Sequence, residues 1–394
     1  MNRGIRVAKV VLNVLAAIVL LGIAFVHWFL PSIIEGSMNV VVPHEPYQVR
    51  PDVARFHKSL FVADLHADSL LWKRDLLKRS HVGQIDLPRL QEGNVALQVF
   101  SATTRTPAGL NIEENTADSD NITMLAVAEF WPMATWSSIY ERARYQLQKL
   151  WDFADDSDGA LIVLQSRSDL RNMVERRRSG ENVVGGLYLI EGAHPLEGDI
   201  SNLDKLFEQG LRISGLTHFF DNDLGGSLHG ISGEGLTEFG RQVIKRAGEL
   251  EVIIDVAHAS PAMVRDVLSM SDRPVILSHG GIKGACDTSR NLTDELMVDI
   301  AAHGGIIGIG YWNSAVCDHS PSGIVRSIRY AIKLMGVDHV ALGSDYDGAV
   351  TTALDSSELA ILTQTMMDDG FSDEEIRKVM GENVKRFLLE NLPD

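Results

Sequence analysis

The chain has little cysteine and no dinucleotide-binding signature. Its 394 residues include two cysteines, Cys286 and Cys317, which fits neither a disulfide-rich scaffold nor a four-cysteine zinc site. In a cytosolic protein these would be two separate buried thiols, whereas in an exported protein they could pair. No G-x-G-x-x-G motif follows the first predicted strand, so dinucleotide binding has no support.

Basic residues are also scarce. Lysine and arginine total 36 against 53 aspartates and glutamates, which gives a formal net charge of −17. Because binding to a phosphate backbone requires clustered basic residues, this balance argues against a nucleic-acid partner. The remaining composition, 45% hydrophobic and 23% charged, is that of an ordinary globular protein with one large domain or two smaller ones.

One long apolar run, residues 10–30, stands near the N-terminus. Its length of about 21 residues is what a helix needs to cross a bilayer. The basic residues before it are Arg3, Arg6 and Lys9. No further basic residue occurs until position 50, so the positive-inside rule predicts that residues 1–9 are cytoplasmic and the rest is exported to a periplasmic or extracellular face.

Two other interpretations of this run are a buried core helix and a cleaved signal peptide. Its length and position argue against a core helix. The apolar region is unusually long for a signal peptide, and no clear small-x-small cleavage site follows it. We therefore expect an uncleaved single-pass transmembrane anchor, followed by a proline-containing spacer over residues 31–50.

Beyond the spacer, short apolar runs alternate with helical patterns, and the runs lie at residues 60–65, 95–100, 186–190, 211–216, 252–256, 274–277, 304–310 and 340–343. Continuous apolar runs are typical of strands buried on both faces of a parallel sheet. Eight such strands alternating with helices predict a (β/α)₈ TIM-type barrel over residues 51–394, with an open doubly wound sheet as the alternative. Residues 103–138 have no clear period and predict an insertion, either a surface elaboration or a substrate lid.

Titratable side chains follow six of the predicted strands: Asp64, His66 and Asp68; Glu191 and His194; His218; Asp255 and His258; His279; Asp345 and Asp347. In a barrel of this kind the active site is built at the C-terminal ends of the strands. Imidazole together with carboxylate suits Zn²⁺ and similar divalent ions. So many ionisable groups in one place are costly to bury unless a cation is present.

The spacing of these residues suggests how two ions are divided among them. His66 and Asp68 are two residues apart, so in an extended strand both side chains point the same way and can share one ion. Glu191 has two oxygens and could bridge two ions, and His258 with His279 would complete the second. Asp345 has no lysine or arginine close by in the sequence, which suits a general base beside a metal-bound water.

The set of motifs DLHAD, LIEGAH, LTH, IDVAHAS, VILSH, RNLTD and GSDYDG resembles the membrane (renal-type) dipeptidases, zinc enzymes of the amidohydrolase-like barrel group. The resemblance runs in order over residues 56–389. It implies a binuclear zinc site that hydrolyses the single peptide bond of a dipeptide and tolerates a D-residue at the C-terminal position.

The resemblance also implies individual roles. The implied zinc ligands are His66, Asp68, Glu191, His258 and His279. His218 would polarise the scissile carbonyl, Arg290 would hold the substrate carboxylate, and Asp345 would transfer the proton to the leaving amine. A disulfide between Cys286 and Cys317 and a possible homodimer are implied as well.

Three features depart from the family pattern. Leu70 and Leu71 stand where proline is usual, Ala193 replaces a glycine, and the insertion is longer than expected. These departures leave the substrate preference open. The alternatives to a dipeptidase are a related binuclear amidohydrolase that acts on another amide, lactone or ester, and a non-catalytic membrane-tethered binding protein.

Four further polar residues near the strand ends have two interpretations. His194, Asp64, Asp255 and Asp347 would either orient a ligand histidine or serve as turn and cap residues. The sequence therefore predicts no catalytic role for them.

Overall fold

The computed structural model describes residues 2–394, with the side chains of residues 2–4 and of residue 23 left out of the description. Its strands are β1 (Val40–Val41), β2 (Val62–Ala67), β3 (Val95–Thr103), β4 (Leu161–Val163), β5 (Val184–Glu191), β6 (Leu211–Gly215), β7 (Ile253–Asp255), β8 (Ile276–Gly280), β9 (Ile306–Ile309), β10 (Val340–Leu342) and β11 (Thr351–Thr352).

Eight of these strands form a closed parallel barrel. Neighbouring strands pair in the order β3-β2-β10-β9-β8-β7-β6-β5, and the pairing of β3 with β5 from Leu97↔Gly185 to Thr103↔Glu191 closes the ring. This closure confirms the predicted (β/α)₈ barrel and shows that the open-sheet alternative was wrong. Each of the eight predicted apolar runs overlaps one barrel strand.

The helices are α1 (Asn2–Trp28), α2 (Leu30–Met38), α3 (Pro51–Lys58), α4 (Leu87–Glu92), α5 (Asn121–Ala128), α6 (Ile139–Asp156), α7 (Arg167–Arg178), α8 (Ser201–Gln209), α9 (Glu238–Glu249), α10 (Pro261–Met270), α11 (Asp294–Ala302), α12 (Asn313–Val316), α13 (Pro321–Met335), α14 (Ala360–Asp368), α15 (Asp373–Arg377) and α16 (Asn383–Asn391). Several begin at a hydroxyl side chain that accepts a backbone N–H, which satisfies a donor that the first helical turn leaves free. A capping box of Ser372 and Glu375 starts α15.

The N-terminal apolar segment is helical. The helical stretch Ile5–Met38 is long and apolar enough to cross a membrane, and its most apolar part is not buried against the rest of the protein. In a water-soluble fold such a surface would be costly to leave exposed.

Residues 31–50, which the sequence predicted as a spacer, carry ordered structure that contacts the barrel. They include most of α2 and the strand β1, which pairs with β11 in the register Val40↔Thr351. Two-residue strands and a nine-residue helix with a proline at its start give no periodic signal long enough to read from sequence. This stretch is therefore part of the fold and more than a linker.

The long connection between β3 and β4 holds two further elements that the sequence did not reveal. Helix α5 lies within it, followed by a single 3₁₀ turn at Met133–Trp136. Helix α6 comes next and completes the connection to β4. Since α5 is apolar on most sides, it lacks the one-sided pattern that predicts an amphipathic helix.

Candidate metal centre

The C-terminal ends of the barrel strands bring the predicted titratable residues together. The side chains that meet there are His66, Asp68, Glu191, His218, His258, His279 and Asp345. All seven are buried. They come from the ends of six different strands or the loops that follow them, so only the closed barrel makes them neighbours.

Glu191 is the centre of this cluster. Its Oε1 lies 3.4 Å from Nε2 of His66, 3.2 Å from Nε2 of His258 and 3.5 Å from Nε2 of His279. Its other oxygen, Oε2, lies 3.3 Å from Nε2 of His218. Two donor atoms that share one tetrahedral zinc ion are about 3.3 Å apart, because each is about 2.0 Å from the ion. The spacing around Glu191 is therefore that of a ligand shell.

A second group of donors adjoins the first. His66 Nε2 is 3.6 Å from Oδ2 of Asp68, and one donor atom each of His66, Asp68 and Asp345 lies within 4.8 Å of the others. Gly348 permits this approach: a Cβ built on it would lie 2.1 Å from Oδ1 of Asp345 and 2.8 Å from Oδ2 of Asp68. Any larger residue at position 348 would displace these carboxylates.

The imidazole rings are oriented by a serine that the sequence analysis missed. Ser278 Oγ donates to Asp255 Oδ2 at 2.6 Å, and it lies 3.2 Å from Nδ1 of His66 and 2.9 Å from Nδ1 of His279. A hydroxyl has one proton to donate and two lone pairs. Because that proton goes to Asp255, both histidines must donate their Nδ1–H to Ser278, which leaves each Nε2 free to bind a cation.

A threonine hydroxyl lies between two of the carboxylates and can donate its one proton to either. Thr103 Oγ1 lies 3.0 Å from Oδ1 of Asp68 and 2.9 Å from Oε2 of Glu191. Thr103 ends β3 and Glu191 ends β5, and the two are paired across the seam that closes the barrel. Ser278 precedes a predicted ligand in VILSH, so its position gave a signal, whereas Thr103 lay at the edge of the predicted insertion and gave none.

The electrostatics of the cluster are unfavourable without a cation. Burial raises the pKa of Glu191 well above its usual value, and the carboxylate of Asp68 raises it further. Burial also raises the pKa of Asp345 to about 8. For His258, burial and then the charge of Arg290 lower the pKa well below the usual value. A divalent ion would stabilise the carboxylates in their charged form and use the neutral imidazoles as ligands.

Hydrogen bonding gives an independent test of that fit. The buried Nε2 of His66 has no hydrogen-bond partner among the described residues, although its other nitrogen is satisfied by Ser278. A buried polar atom without a partner costs free energy. Its neighbours are carboxylate oxygens, at distances that suit a shared cation better than a direct bond. The donor set of imidazole and carboxylate therefore fits a transition metal such as zinc.

Arg290 lies in the loop after β8 and lines the same cavity. It is buried, donates to the carbonyl oxygen of His279 at 3.0 Å and lies over the ring of Trp312, 5.4 Å from its centroid. Among the described residues no carboxylate lies within 4.0 Å of its guanidinium. A buried guanidinium without an anionic partner is suited to an anionic group of a ligand.

A disulfide between Cys286 and Cys317 joins the loops after β8 and β9. Those two loops also carry Arg290 and Trp312, so the bridge fixes one wall of the cavity. The pairing that the family resemblance implied is present, and the alternative of two separate thiols is not.

Four polar residues near the strand ends were predicted either to orient a ligand histidine or to serve as turn and cap residues, and they contact different groups. Asp255 binds Ser278, and Asp64 accepts bonds from the backbone and hydroxyl of Ser344 beside Asp345. Asp347 forms an ion pair with Arg74. His194 is not in the metal cluster: its ring packs on Phe220 with the ring centroids 4.8 Å apart.

Two of the cluster residues have strained backbones. His258 and Asp345 have φ values of 61° and 62°, in the left-handed region that non-glycine residues rarely adopt. Such conformations persist only where the surrounding structure enforces them, and they concentrate at functional sites. Here the strained residues turn two donor groups into the barrel mouth immediately after their strands end.

The chain is similar to known proteins over most of its length. The family model of the membrane dipeptidases, peptidase family M19, matches residues 51–391. An uncharacterized protein in the pqqA 5′ region of Klebsiella pneumoniae is 31% identical over 258 residues, which cover 62% of this chain and 93% of that protein. Dipeptidase verJ of Clonostachys rogersoniana is 28% identical over 222 residues, which cover 54% of this chain and 56% of that protein.

The fold also matches a solved structure. A metallopeptidase from Rhodobacter sphaeroides, bound to a phosphinate mimic of the dipeptide L-Ala-D-Ala, superposes with a TM-score of 0.69 at 24% identity. The match covers 84% of this chain and 99% of that chain. At this level of identity the likeness establishes the barrel fold.

Proposed function

The chain belongs to the membrane dipeptidase family, peptidase family M19, and on that premise we propose that it is a membrane-anchored dipeptidase with two zinc ions at the barrel mouth. Membership makes it a metallo-dipeptidase, and the zinc, the number of ions and the residue roles are our proposal. The observation that carries it is the shell of histidine nitrogens 3.2–3.5 Å from Glu191.

We assign the ligands as the sequence predicted them. His66 and Asp68 would hold one ion, His258 and His279 would hold the other, and Glu191 would be a ligand shared by both. His258 Nε2 lies 2.9 Å from His279 Nε2, and His66 Nε2 lies 3.6 Å from Oδ2 of Asp68, which supports placing each pair on one ion. Oε1 of Glu191 lies within 3.5 Å of a nitrogen from each pair, which supports its place between them. When bound, the ions would polarise the amide carbonyl and lower the pKa of a water molecule that attacks it.

The remaining steps belong to side chains of the cavity. Arg290 binds the C-terminal carboxylate of the dipeptide and so fixes which bond reaches the centre. His218, which lines the cavity with its Nε2 3.3 Å from Oε2 of Glu191, orients the scissile carbonyl and stabilises the negative charge that develops on its oxygen. Asp345 accepts the proton of the attacking water and delivers it to the departing amine.

Hydrolysis assays on the purified full-length protein test this assignment. We expect cleavage of L,L- and L,D-dipeptides such as L-Ala-L-Ala and L-Ala-D-Ala, loss of cleavage after chelation, and recovery on addition of Zn²⁺. The L,D-dipeptide belongs in the panel because the Rhodobacter metallopeptidase binds a mimic of it. Cleavage that persists after complete removal of metal would contradict the proposal.

We also propose that residues 10–30 anchor the protein, with residues 1–9 cytoplasmic and the catalytic domain exported. The apolar, unburied helix supports the anchor, and Arg6 and Lys9 before it support the orientation. The disulfide is consistent with an oxidising compartment. A protease added outside sealed spheroplasts should digest the catalytic domain, and complete protection would reverse the orientation.

A further inference from the structure

The cavity that contains the metal centre is much larger and more apolar than a simple dipeptide needs. Its volume is about 940 Å³, at the upper end of pockets that hold drug-sized ligands. The titratable residues form one part of its wall. Most of the remaining wall is apolar, and it comes from α2, α5 and the loop after β2.

Helix α2 presents one face to this cavity. Leu30, Ile34 and Met38 line it. They are four residues apart, so they lie on the same side of a helix. Helix α5 packs beside α2 and contributes Ile122 and Leu125 to the same wall.

Helix α2 is held in place by polar contacts to the catalytic loops. Arg74 Nε donates to Oε1 of the buried Glu35 at 2.5 Å, and Arg74 is also paired with Asp347, two residues after Asp345. The backbone N–H of Ala349 donates to Oδ1 of Asn39 at 2.8 Å. These bonds make α2 a fixed wall of the site.

The strand order relates this wall to the two ends of the substrate. In the ring of eight strands, β3, which precedes the α5 insertion, lies four positions from β8, which precedes Arg290. The insertion that carries α5 therefore begins across the mouth from the strand that precedes Arg290, and α2 packs beside α5. A dipeptide whose carboxylate binds Arg290 would direct its N-terminal residue toward α2 and α5.

The same wall is continuous with the proposed membrane anchor. Leu30 is the last residue of the span, and Met38 is only about 12 Å further along at 1.5 Å per helical residue. A second apolar groove, between Val19, Gly22 and Val26 of α1 and the face of α5, shares Met124 and Ala128 with the main cavity. An apolar path thus leads from the bilayer-spanning segment to the metal centre.

We propose that α2 and α5 form a subsite for a long apolar group on the N-terminal residue of the dipeptide. The preferred substrates are then amphiphilic dipeptides that reach the site from the bilayer surface, with the hydrocarbon chain in the groove and the peptide bond at the metal centre. This inference rests on the proposed function and on the proposed anchor. A wall that serves only to contact lipid is the competing interpretation.

The test compares two dipeptides on the full-length protein in phosphatidylcholine nanodiscs. L-Ala-D-Ala is the short substrate, and L-2-aminododecanoyl-D-alanine carries a decyl side chain with its amine free. We expect kcat/KM to be roughly tenfold or more higher for the decyl substrate. Equal values, or a preference for the short dipeptide, would overturn the subsite.

A matched pair of variants on α2 separates the subsite from lipid contact. Ile34→Gln alters the cavity wall, whereas Ile33→Gln alters its exposed neighbour, which is 57% accessible and does not line the cavity. Ile34→Gln should remove the preference for the decyl substrate and leave L-Ala-D-Ala within about twofold. The proposal would be overturned if Ile34→Gln lowered kcat/KM equally for both substrates. It would also be overturned if Ile33→Gln reduced the preference for the decyl substrate as much as Ile34→Gln does.

Failure of the proposed function gives a different result, because the wild-type protein would then cleave neither dipeptide. In that case calorimetric binding of the two dipeptides still decides the subsite. Wild-type protein should bind the decyl dipeptide at least about tenfold more tightly, and Ile34→Gln should not. Equal affinities in the wild type would overturn the subsite.

Discussion

The two ends of the barrel interior are built from the same strands but have opposite chemistry. At the N-terminal end, the barrel floor, Leu65, Leu97, Leu187 and Ile213 pack with Phe387 of α16 in a fully apolar cluster. At the C-terminal end, the barrel mouth, the interior positions are carboxylates, imidazoles and hydroxyls. The fold thus separates the residues that stabilise it from those that carry out its chemistry.

Strand β5 shows how one sequence produces both ends. Leu187, Leu189 and Glu191 are each two residues apart, so their side chains point the same way into the barrel. The first two belong to the floor cluster, and the third is the centre of the metal site. A single change of residue type at the end of an apolar row therefore marks the transition from floor to mouth.

The largest effect is expected from Asp345→Asn at the mouth. Removing a general base lowers kcat by roughly 10²- to 10⁴-fold, while metal content and thermal stability should stay near those of the wild type. Steady-state kinetics and elemental analysis on the same preparation measure both. If kcat is unchanged, Asp345 is not the base.

The strand ends explain how much of this site was predictable. Apolar runs ending in histidine or carboxylate identified His66, Glu191 and Asp345, because parallel strands in a closed ring deliver their C-terminal ends to one place. Ser278 adjoins a predicted ligand and Thr103 adjoins none, and neither was predicted because hydroxyl side chains are also common in strands that have no ligands. Their role depends on distances across the barrel, which no local pattern encodes.

The elements missed at the N-terminus have a different cause. Helix α2 and strand β1 are too short to show a period, and they are held by contacts to residues about 310 positions away in the chain, such as that of Asn39 with Ala349. Such long-range contacts leave no local signature. The sequence therefore predicted a spacer over residues where the structure has a short helix and a short strand.

The floor should respond in the opposite way from the mouth. Leu187 is fully buried, so Leu187→Ala is expected to lower the free energy of unfolding by about 2–5 kcal/mol through lost burial and the cavity left behind. At a temperature where the variant remains folded, kcat should be that of the wild type. Thermal denaturation with parallel kinetics checks this, and a loss of kcat in a fully folded variant would break the distinction between floor and mouth.

Arg290→Ala should give a smaller change that depends on the substrate. A hydrogen bond to a charged group contributes about 1.5–3 kcal/mol, so kcat/KM for a free dipeptide should fall by roughly 10- to 100-fold. A C-terminally amidated dipeptide lacks the carboxylate and should be cleaved equally slowly by the wild type and the variant. If the wild type cleaves the amide as well as the acid, Arg290 does not bind that carboxylate.

Ser278→Ala is expected to change the affinity for metal and to leave the turnover of the zinc-saturated enzyme unchanged. Losing a hydroxyl that orients two ligand histidines typically weakens metal binding by about 10- to 100-fold without removing a ligand. At saturating Zn²⁺ the activity should return. Titration with a competing chelator measures the affinity, and an unchanged affinity would show that the rings are held by packing alone.

Glu191 is the proposed bridge between two zinc ions at the barrel mouth. A decisive test is to quantify metal per chain in the wild-type protein and in Glu191→Ala, with folding verified by circular dichroism. We expect two equivalents of zinc in the wild type and a loss of tightly bound metal in the folded variant. Two equivalents retained by Glu191→Ala, or no metal bound by the wild type, would contradict it.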